Sequence, residues 1–265
     1  KAKNSKRLTT HPAEETYADI SPNGKHIAFT ANYEGSTEVY LLPINGGVAK
    51  RLSFENSYAR VQGWTEQGNV IFSTNSRVGP TGNWTLKTVN PKTLVTQTIE
   101  LADAVEGVTN DNMVYFTQFG LQVSGDNAKV YRGGALGEIW SFNQKTKQEA
   151  TKLTADHEGS VRQPMVYDDR VYFISDASGN DNIWSMDTDG SNKKQHTQYK
   201  DLPVRHANIG GKSLVYQLGA DIKSMSLRNH KSKTLSITLT SGLPNLRENW
   251  VNKPLNYLTS SYLAP

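Results

Sequence analysis

Short apolar runs that end in an aromatic residue recur along this chain. The first run is His26–Phe29 (HIAF), and its aromatic residue has counterparts at Phe72, Phe116, Phe173 and Tyr216. The runs repeat with a period of about 43 residues, with one longer interval before Phe173. Apolar runs of this length, bounded by turn residues, are typical of β-strands rather than of helices.

Each apolar run belongs to a larger unit of about four strands. In the first unit, Tyr17–Ile20 precedes the run, and the alternating segment Glu38–Leu42 and the polar segment Lys50–Ser53 follow it. Turn sequences such as Asn45-Gly46 and Asp189-Gly190 supply the positive-φ positions that hairpins need. Four strands in a repeat of 40 to 50 residues are the signature of a β-propeller blade.

The sequence therefore predicts an all-β fold, a β-propeller of four-stranded antiparallel blades. Five complete blades run from Tyr17 to Leu239, and residues 7–10 (RLTT) match the outer strand of a sixth. We expect a six-bladed ring over residues 1–240, which is closed, open or incomplete, because this sequence lacks the inner three strands of the sixth blade. The longer interval places an insertion at Gln118–Gly137, between the second and third strands of the third complete blade. Residues 241–265 are expected to be a linker and the start of a following domain.

The amino-acid composition excludes several classes of protein function. The chain has 265 residues and no cysteine, which excludes disulfide scaffolds, thiol nucleophiles and cysteine-ligated metal sites. The net charge is +4, but the densest basic stretch, Lys1–Arg7, has no interleaved aromatic residues and is interpreted as a solvated tail. No apolar run approaches the roughly 20 residues that a membrane span requires. We expect neither a nucleic-acid partner nor a membrane span.

Catalytic and metal-binding patterns do not emerge from the sequence. The chain contains no G-x-S-x-G, H-E-x-x-H, P-loop or G-x-G-x-x-G motif. His26 and His196 occupy repeat positions that are interpreted as strand surface rather than as ligands. The oxygen-rich run Asp176–Asn182 is followed by Asp187 where an EF-hand has glutamate, so hairpin turns explain it better than calcium. No catalytic residue, cofactor or metal site is predicted.

The inner strands of a propeller converge on its central channel, so their polar residues are the candidates for binding. Arg60, Arg162 and Arg205 recur at a similar phase of the repeat, and His206 adjoins the last of them. Three guanidinium groups at one channel mouth would attract peptide carboxylates through charge-assisted hydrogen bonds. The alternative, which carries more weight, is that each arginine forms a structural ion pair with a neighbouring blade.

Several segments resemble the first β-propeller of tricorn-type proteases, which are large serine peptidases. The most specific are Arg7–Tyr17 (RLTTHPAEETY) and Tyr131–Gly134 (YRGG), while Ile20–Lys25 (ISPNGK) is also shared with TolB-like propellers. Asp181–Trp184 is similar to the same family, and Arg247–Pro265 looks like the transition into a second propeller. The resemblance covers nearly the whole chain.

The resemblance implies a non-catalytic propeller domain of a serine peptidase, acting as scaffold and channel for peptide substrates or products. The family's catalytic serine and histidine lie in domains downstream of Pro265, so none is placed here. The implied partners are peptides, the remaining domains of the protease and further copies in a homo-oligomer. A cytoplasmic location is expected, with the periplasm as the alternative.

Two other functions stay open on the sequence. One is a free-standing TolB-like propeller that mediates protein–protein interaction on its rim. The other is a propeller enzyme with its site in the funnel, which would need converging acid, base or metal groups.

Overall fold

A computed structural model describes residues 6–76, 83–120, 130–238, 250 and 252–263. The chain divides into a large unit, Arg7–Leu235, and a smaller one formed by Lys1–Lys6 and Ser236–Pro265. In the described part of the smaller unit, Pro254–Tyr257 form a short 3-10 helix. Residues 241–249 of the predicted linker and following domain lie outside the described residues, as do residues 121–129 of the predicted insertion.

The described residues of the large unit form five four-stranded antiparallel sheets, in each of which the strands pair in chain order. This arrangement confirms the predicted propeller of four-stranded blades. We number the sheets blades 1 to 5. Their strands are β1 (Glu15–Ile20), β2 (His26–Glu34), β3 (Ser36–Pro43) and β4 (Lys50–Arg51) in blade 1; β5 (Ala59–Trp64), β6 (Val70–Thr74), β7 (Thr85–Val89) and β8 (Thr96–Thr98) in blade 2; β9 (Ala104–Asn110), β10 (Met113–Gln118), β11 (Glu138–Asn143) and β12 (Thr151–Lys152) in blade 3; β13 (Val161–Tyr167), β14 (Arg170–Ser175), β15 (Asn182–Asp187) and β16 (Lys194–Gln195) in blade 4; and β17 (Val204–Gly210), β18 (Ser213–Leu218), β19 (Asp221–Ser226) and β20 (Ser232–Thr234) in blade 5.

The prediction of a sixth blade with its outer strand at 7–10 is wrong for the part of the chain that the structure describes. These residues form no strand. Instead, Leu8 packs against the cluster of Phe29 and Tyr40 on blade 1, and Thr9 donates a hydrogen bond to Glu15 at 2.5 Å. Side-chain contacts with blade 1 thus hold the segment, because none of the five sheets pairs with it through the backbone.

Neighbouring blades pack face to face through their second strands. Consecutive residues of a strand point to opposite faces of its sheet. Ile71 therefore packs against blade 3 while Phe72 packs against blade 1, and Phe173 and Tyr172 divide in the same way between blades 3 and 5. All four side chains are buried. Burial on both faces explains why the second strands are continuous apolar runs rather than alternating ones.

A hydroxyl group just beyond the outer strand recurs in three blades. Ser53, Thr154 and Thr197 each accept a hydrogen bond from a backbone N–H of the third strand, at 2.8, 3.1 and 2.9 Å. In blade 1 this hydroxyl also donates to Glu38 at 2.5 Å. The bond fixes the path of the chain as it leaves one blade for the next.

Glu38 is a fully buried carboxylate at this exit from blade 1. It accepts hydrogen bonds from the backbone N–H groups of Glu55 and Asn56 at 3.1 and 2.9 Å, and pairs with Arg51 at 2.9 Å. Burial raises the pKa of Glu38, but the hydrogen bonds from Ser53 and the two amides, with the charge of Arg51, outweigh it and hold the pKa below its usual value.

His196 and His230 stack on each other between blades 4 and 5. Their ring centroids are 3.9 Å apart at an interplanar angle of 17°, and Tyr172 stacks on His196 at 5.6 Å. His196, predicted at a strand surface, is therefore half-buried between two blades. Burial, followed by the charges of His230, Lys194 and Arg170, lowers the pKa of His196 to about 4.

Replacing Glu38 should weaken folding strongly. Glu38→Ala leaves the Ser53 hydroxyl, two backbone amides and Arg51 without their acceptor, so we expect a loss of about 3 kcal/mol in the free energy of unfolding. Urea denaturation followed by circular dichroism measures it. Glu34→Ala is the matched control, because Glu34 pairs with the same Arg51 but its side chain is 63% exposed. The control should lose less than about 1 kcal/mol, and equal losses would contradict the role of burial.

The stacked histidines should make the propeller acid-sensitive. Unfolded histidine takes up a proton near pH 6.5, whereas folded His196 does so only near pH 4, so acid favours the unfolded state between these values. We expect the free energy of unfolding to fall by about 1 to 3 kcal/mol from pH 6.5 to pH 4 through this group. His196→Gln should flatten that dependence in urea titrations, while His26→Gln on blade 1 should not. An unchanged slope in His196→Gln would refute the assignment.

Candidate functional site

The first strand of each blade carries an irregularity in its pairing with the second strand. Between Thr16 and Asp19, β1 has one residue more than the facing part of β2, and each of the other four inner strands shows a comparable shift of register. In blades 1, 4 and 5 a residue at the bulge has a left-handed backbone: Tyr17 (φ 50°), Gln163 (φ 52°) and His206 (φ 48°). Bulges of this kind redirect side chains, and they are frequent beside functional sites.

The bulges surround a central pocket of about 560 Å³, to which the inner strands of all five blades contribute. Polar and apolar surface contribute almost equally to its wall. The charged and strongly polar lining residues are Glu14, Asp19, Arg60, Gln62, Glu106, Gln163, His206 and Asn208. A concave site with a few convergent polar groups is the usual form of a ligand-binding site, and we call it the axial pocket.

Arg60 and Glu106 form the buried part of this wall. Arg60 Nη2 lies 3.8 Å from Glu106 Oε1, and the guanidinium packs between the rings of Tyr17 and Trp84, at 5.1 and 5.4 Å from their centroids. Glu106 also accepts a hydrogen bond of 2.6 Å from the backbone N–H of Gln163 in blade 4. The Nε of Arg60 is buried without a hydrogen-bond partner.

Arg162 and Arg205 share one carboxylate. Asp181 Oδ2 lies 2.5 Å from Arg162 Nη2, and Arg205 Nη1 pairs with the same oxygen from the next blade. Burial lowers the pKa of Arg162, and Asp181 opposes that shift. Burial, followed by the charges of Arg162 and Arg205, lowers the pKa of His206, so this imidazole is neutral at pH 7.

The four residues singled out from the sequence lie at two places. The register puts the three arginines at equivalent positions, each opposite the residue that follows the second-strand aromatic. Arg60 and His206 line the axial pocket, whereas Arg162 and Arg205 gather around Asp181. Arg60 and Arg205 do contact a neighbouring blade, as the alternative interpretation required.

The sequence analysis placed Tyr17 and Asp19 in an inner strand without assigning either a role, and it gave no role to Glu106 or Gln163. The feature that distinguishes Tyr17 is the bulge, where the inner strand has one residue more than the strand it pairs with. The bulge can be recognised only when the register of both strands is known.

The described residues contain no group of three or more histidine, aspartate or glutamate side chains arranged to hold a metal ion. In the oxygen-rich run predicted as a turn, Asp176 accepts a hydrogen bond from the backbone N–H of Ser160 at 2.8 Å and pairs with Arg132 at 3.2 Å. No helix in the described ranges is both long and apolar enough to cross a bilayer.

Comparison with known proteins identifies relatives of this chain. A family model described as the tricorn protease N-terminal beta propeller domain matches residues 1–231. The tricorn protease of Thermoplasma volcanium is 28% identical over 252 residues, which cover 88% of this chain and 23% of that protein. The chain thus spans about a quarter of the length of this curated relative.

Solved structures show the same architecture. The crystal structure of the tricorn protease aligns with a TM-score of 0.76 at 24% identity, covering 88% of this chain and 24% of that one. TolB from Acinetobacter baumannii aligns with a TM-score of 0.60 at 13% identity, covering 85% of this chain and 55% of that one. At these identities the likeness shows the fold alone.

Removing the charge of Asp181 should destabilise the junction of blades 4 and 5. Asp181→Asn preserves the shape but leaves two guanidinium groups close together, so we expect a loss of about 2 kcal/mol in the free energy of unfolding. Added acetate should restore part of the melting temperature, because it replaces the missing carboxylate. The exposed residue Asp201 provides the control Asp201→Asn, which should change stability by no more than about 0.5 kcal/mol. Equal stability of the two variants would contradict the shared ion pair.

Proposed function

The chain belongs to the family of tricorn protease N-terminal β-propeller domains, and on this premise we propose that it serves a tricorn-like peptidase as a non-catalytic scaffold and peptide channel. The matched tricorn protease is about four times longer than the matched segment. In this proposal the peptide-bond chemistry belongs to other parts of such a protein, which are the domain's partners together with the peptides.

The observation that carries the proposal is the axial pocket. Its wall combines side chains from five separate strands, so the pocket exists only when all five blades are assembled. The apolar side chains of the second strands are buried in the interfaces between neighbouring blades. What remains at the axis is a wall of mixed polar and apolar surface, which suits a peptide because the wall can accept both its backbone polar groups and its side chains.

We place the carboxylate of such a peptide at Arg162 and Arg205. Two positive charges face the single carboxylate of Asp181 there, which leaves a net positive charge at the inner ends of blades 4 and 5. Arg60 and His206, on the wall of the axial pocket, are the contacts that we propose for the rest of the peptide in the channel. Guanidinium groups favour carboxylates because they offer paired donors in one plane.

A groove between blades 1 and 2 favours a second candidate function, a TolB-like module that binds a partner protein. The groove has a volume of about 540 Å³, and Leu41, Trp64 and Pro91 contribute apolar surface to it. Lys50 bridges the two blades beside it by donating to the carbonyl of Pro91 at 2.9 Å. Under this alternative the groove, rather than the axial pocket, would be the binding surface.

Peptide binding by the 265-residue protein tests the channel. We expect trialanine to bind, trialanine amide to bind more weakly, and Arg205→Gln to weaken trialanine about tenfold without affecting the amide, as measured by isothermal titration calorimetry. The exposed Arg228 on blade 5 supplies the control Arg228→Ala, which should leave both affinities unchanged. Equal binding of the acid and the amide would refute the carboxylate contact. Labelling of this protein by a serine-hydrolase probe would refute the non-catalytic role.

A further inference from the structure

Asp19 stands at the end of the bulge in blade 1 and lines the axial pocket. Its Oδ1 accepts two hydrogen bonds of 3.0 Å, from the backbone N–H of Ile20 and from Nδ2 of Asn208 in blade 5. Its Oδ2 faces Gly63 of blade 2, where a Cβ would lie 3.3 Å away. One carboxylate oxygen is therefore held by the protein, and the other lies beside a residue that has no side chain.

The balance of charge in the axial pocket is negative. Three of its charged lining residues are acidic, Glu14, Asp19 and Glu106, and Arg60 is the cation. Arg60 forms an ion pair with Glu106, in which Nη2 lies 3.8 Å from Oε1. Within the described residues, no ion pair includes Asp19. Burial raises the pKa of Asp19, against the two hydrogen bonds that lower it, as expected for a carboxylate that lacks a cation.

Two further lining residues suit a cation. Tyr17 and the neutral His206 add an aromatic ring and an imidazole acceptor to the same wall, and an ammonium group can interact with both. The Arg60 side chain, which is 8% exposed, already has partners, because its Nη2 donates to the carbonyl of Val105 at 2.9 Å and pairs with Glu106. The volume lies in the range of about 300 to 1,000 Å³ that is usual for small-ligand sites.

From this geometry we propose that the axial pocket binds a primary ammonium group, with Asp19 as its counter-ion. This proposal rests on the proposed peptide channel and adds a direction to it, because the amino end of the peptide then occupies the axial pocket. An ammonium group brings three N–H donors and one positive charge. A carboxylate in the same place would add a further negative charge beside Asp19 and Glu106, which is unfavourable at low dielectric.

Peptides that differ only at their ends test the ammonium site by isothermal titration calorimetry on the 265-residue protein. We expect N-acetylation of trialanine to weaken binding at least tenfold, more than C-terminal amidation does. N-acetyl-Ala-Lys-Ala then separates the two sources of an ammonium group. Restored binding means that a lysine side chain also enters the pocket, and continued weak binding means that the site takes the α-amino group. Equal affinities for free and acetylated trialanine would overturn the proposal.

Replacing the pocket acid Asp19 gives an independent test. Asp19→Asn keeps an acceptor for Ile20 and Asn208 but removes the charge, so trialanine should bind at least tenfold more weakly while acetylated trialanine is unaffected. Asp201→Asn is the matched control, because it makes the same change at an exposed residue that does not line the pocket, and it should change affinity less than twofold. An unchanged affinity in Asp19→Asn would overturn the proposal.

The two proposals fail in distinguishable ways. If acetylation has no effect while Arg205→Gln still weakens binding, the ammonium site is wrong and the peptide channel stands. If trialanine does not bind the unaltered protein at millimolar concentration, both are overturned.

Discussion

The packing of one blade on the next is the contact on which the rest of this structure depends. A sheet of four short strands with apolar side chains on both faces cannot bury them alone, so each sheet needs a neighbour on either side. The second strands meet this need by sending consecutive residues in opposite directions, as Tyr172 and Phe173 do. Once the apolar faces are used in this way, the inner strands are free to present polar groups to the axis.

Polar contacts near the axis join neighbouring blades in addition to the apolar packing between them. Arg60 reaches Glu106 in the next blade, and Arg205 reaches Asp181 in the preceding one. These ion pairs neutralise some of the charged side chains of the inner strands, but not all of them. The charge that remains is positive around Asp181 and negative around Asp19, and this difference is the basis of the proposed binding of a peptide by its two oppositely charged ends.

Repetition made much of this fold predictable from sequence, because the aromatic at Phe72 and its counterparts mark the second strand of every blade. The phase of Arg60, Arg162 and Arg205 was also accessible, since equivalent repeat positions occupy equivalent register positions. The pairing of Arg162 and Arg205 with one carboxylate could not be predicted, because it depends on which loop brings Asp181 close to them. Likewise residues 7–10 resemble an outer strand in composition, but strand formation requires a partner strand that sequence similarity cannot supply.

The hydrogen bond between Asn208 and Asp19 joins residues separated by 189 positions of the chain. Closing so long a loop is entropically costly, so contacts within hairpins and between successive blades form more readily than this one. Among the described residues no apolar cluster spans the first and last blades, so this contact is weaker than the packing between successive blades. A ligand held by both Asp19 and blade 5 would strengthen the contact, so occupancy of the axial pocket and resistance to separation of these two blades would rise together.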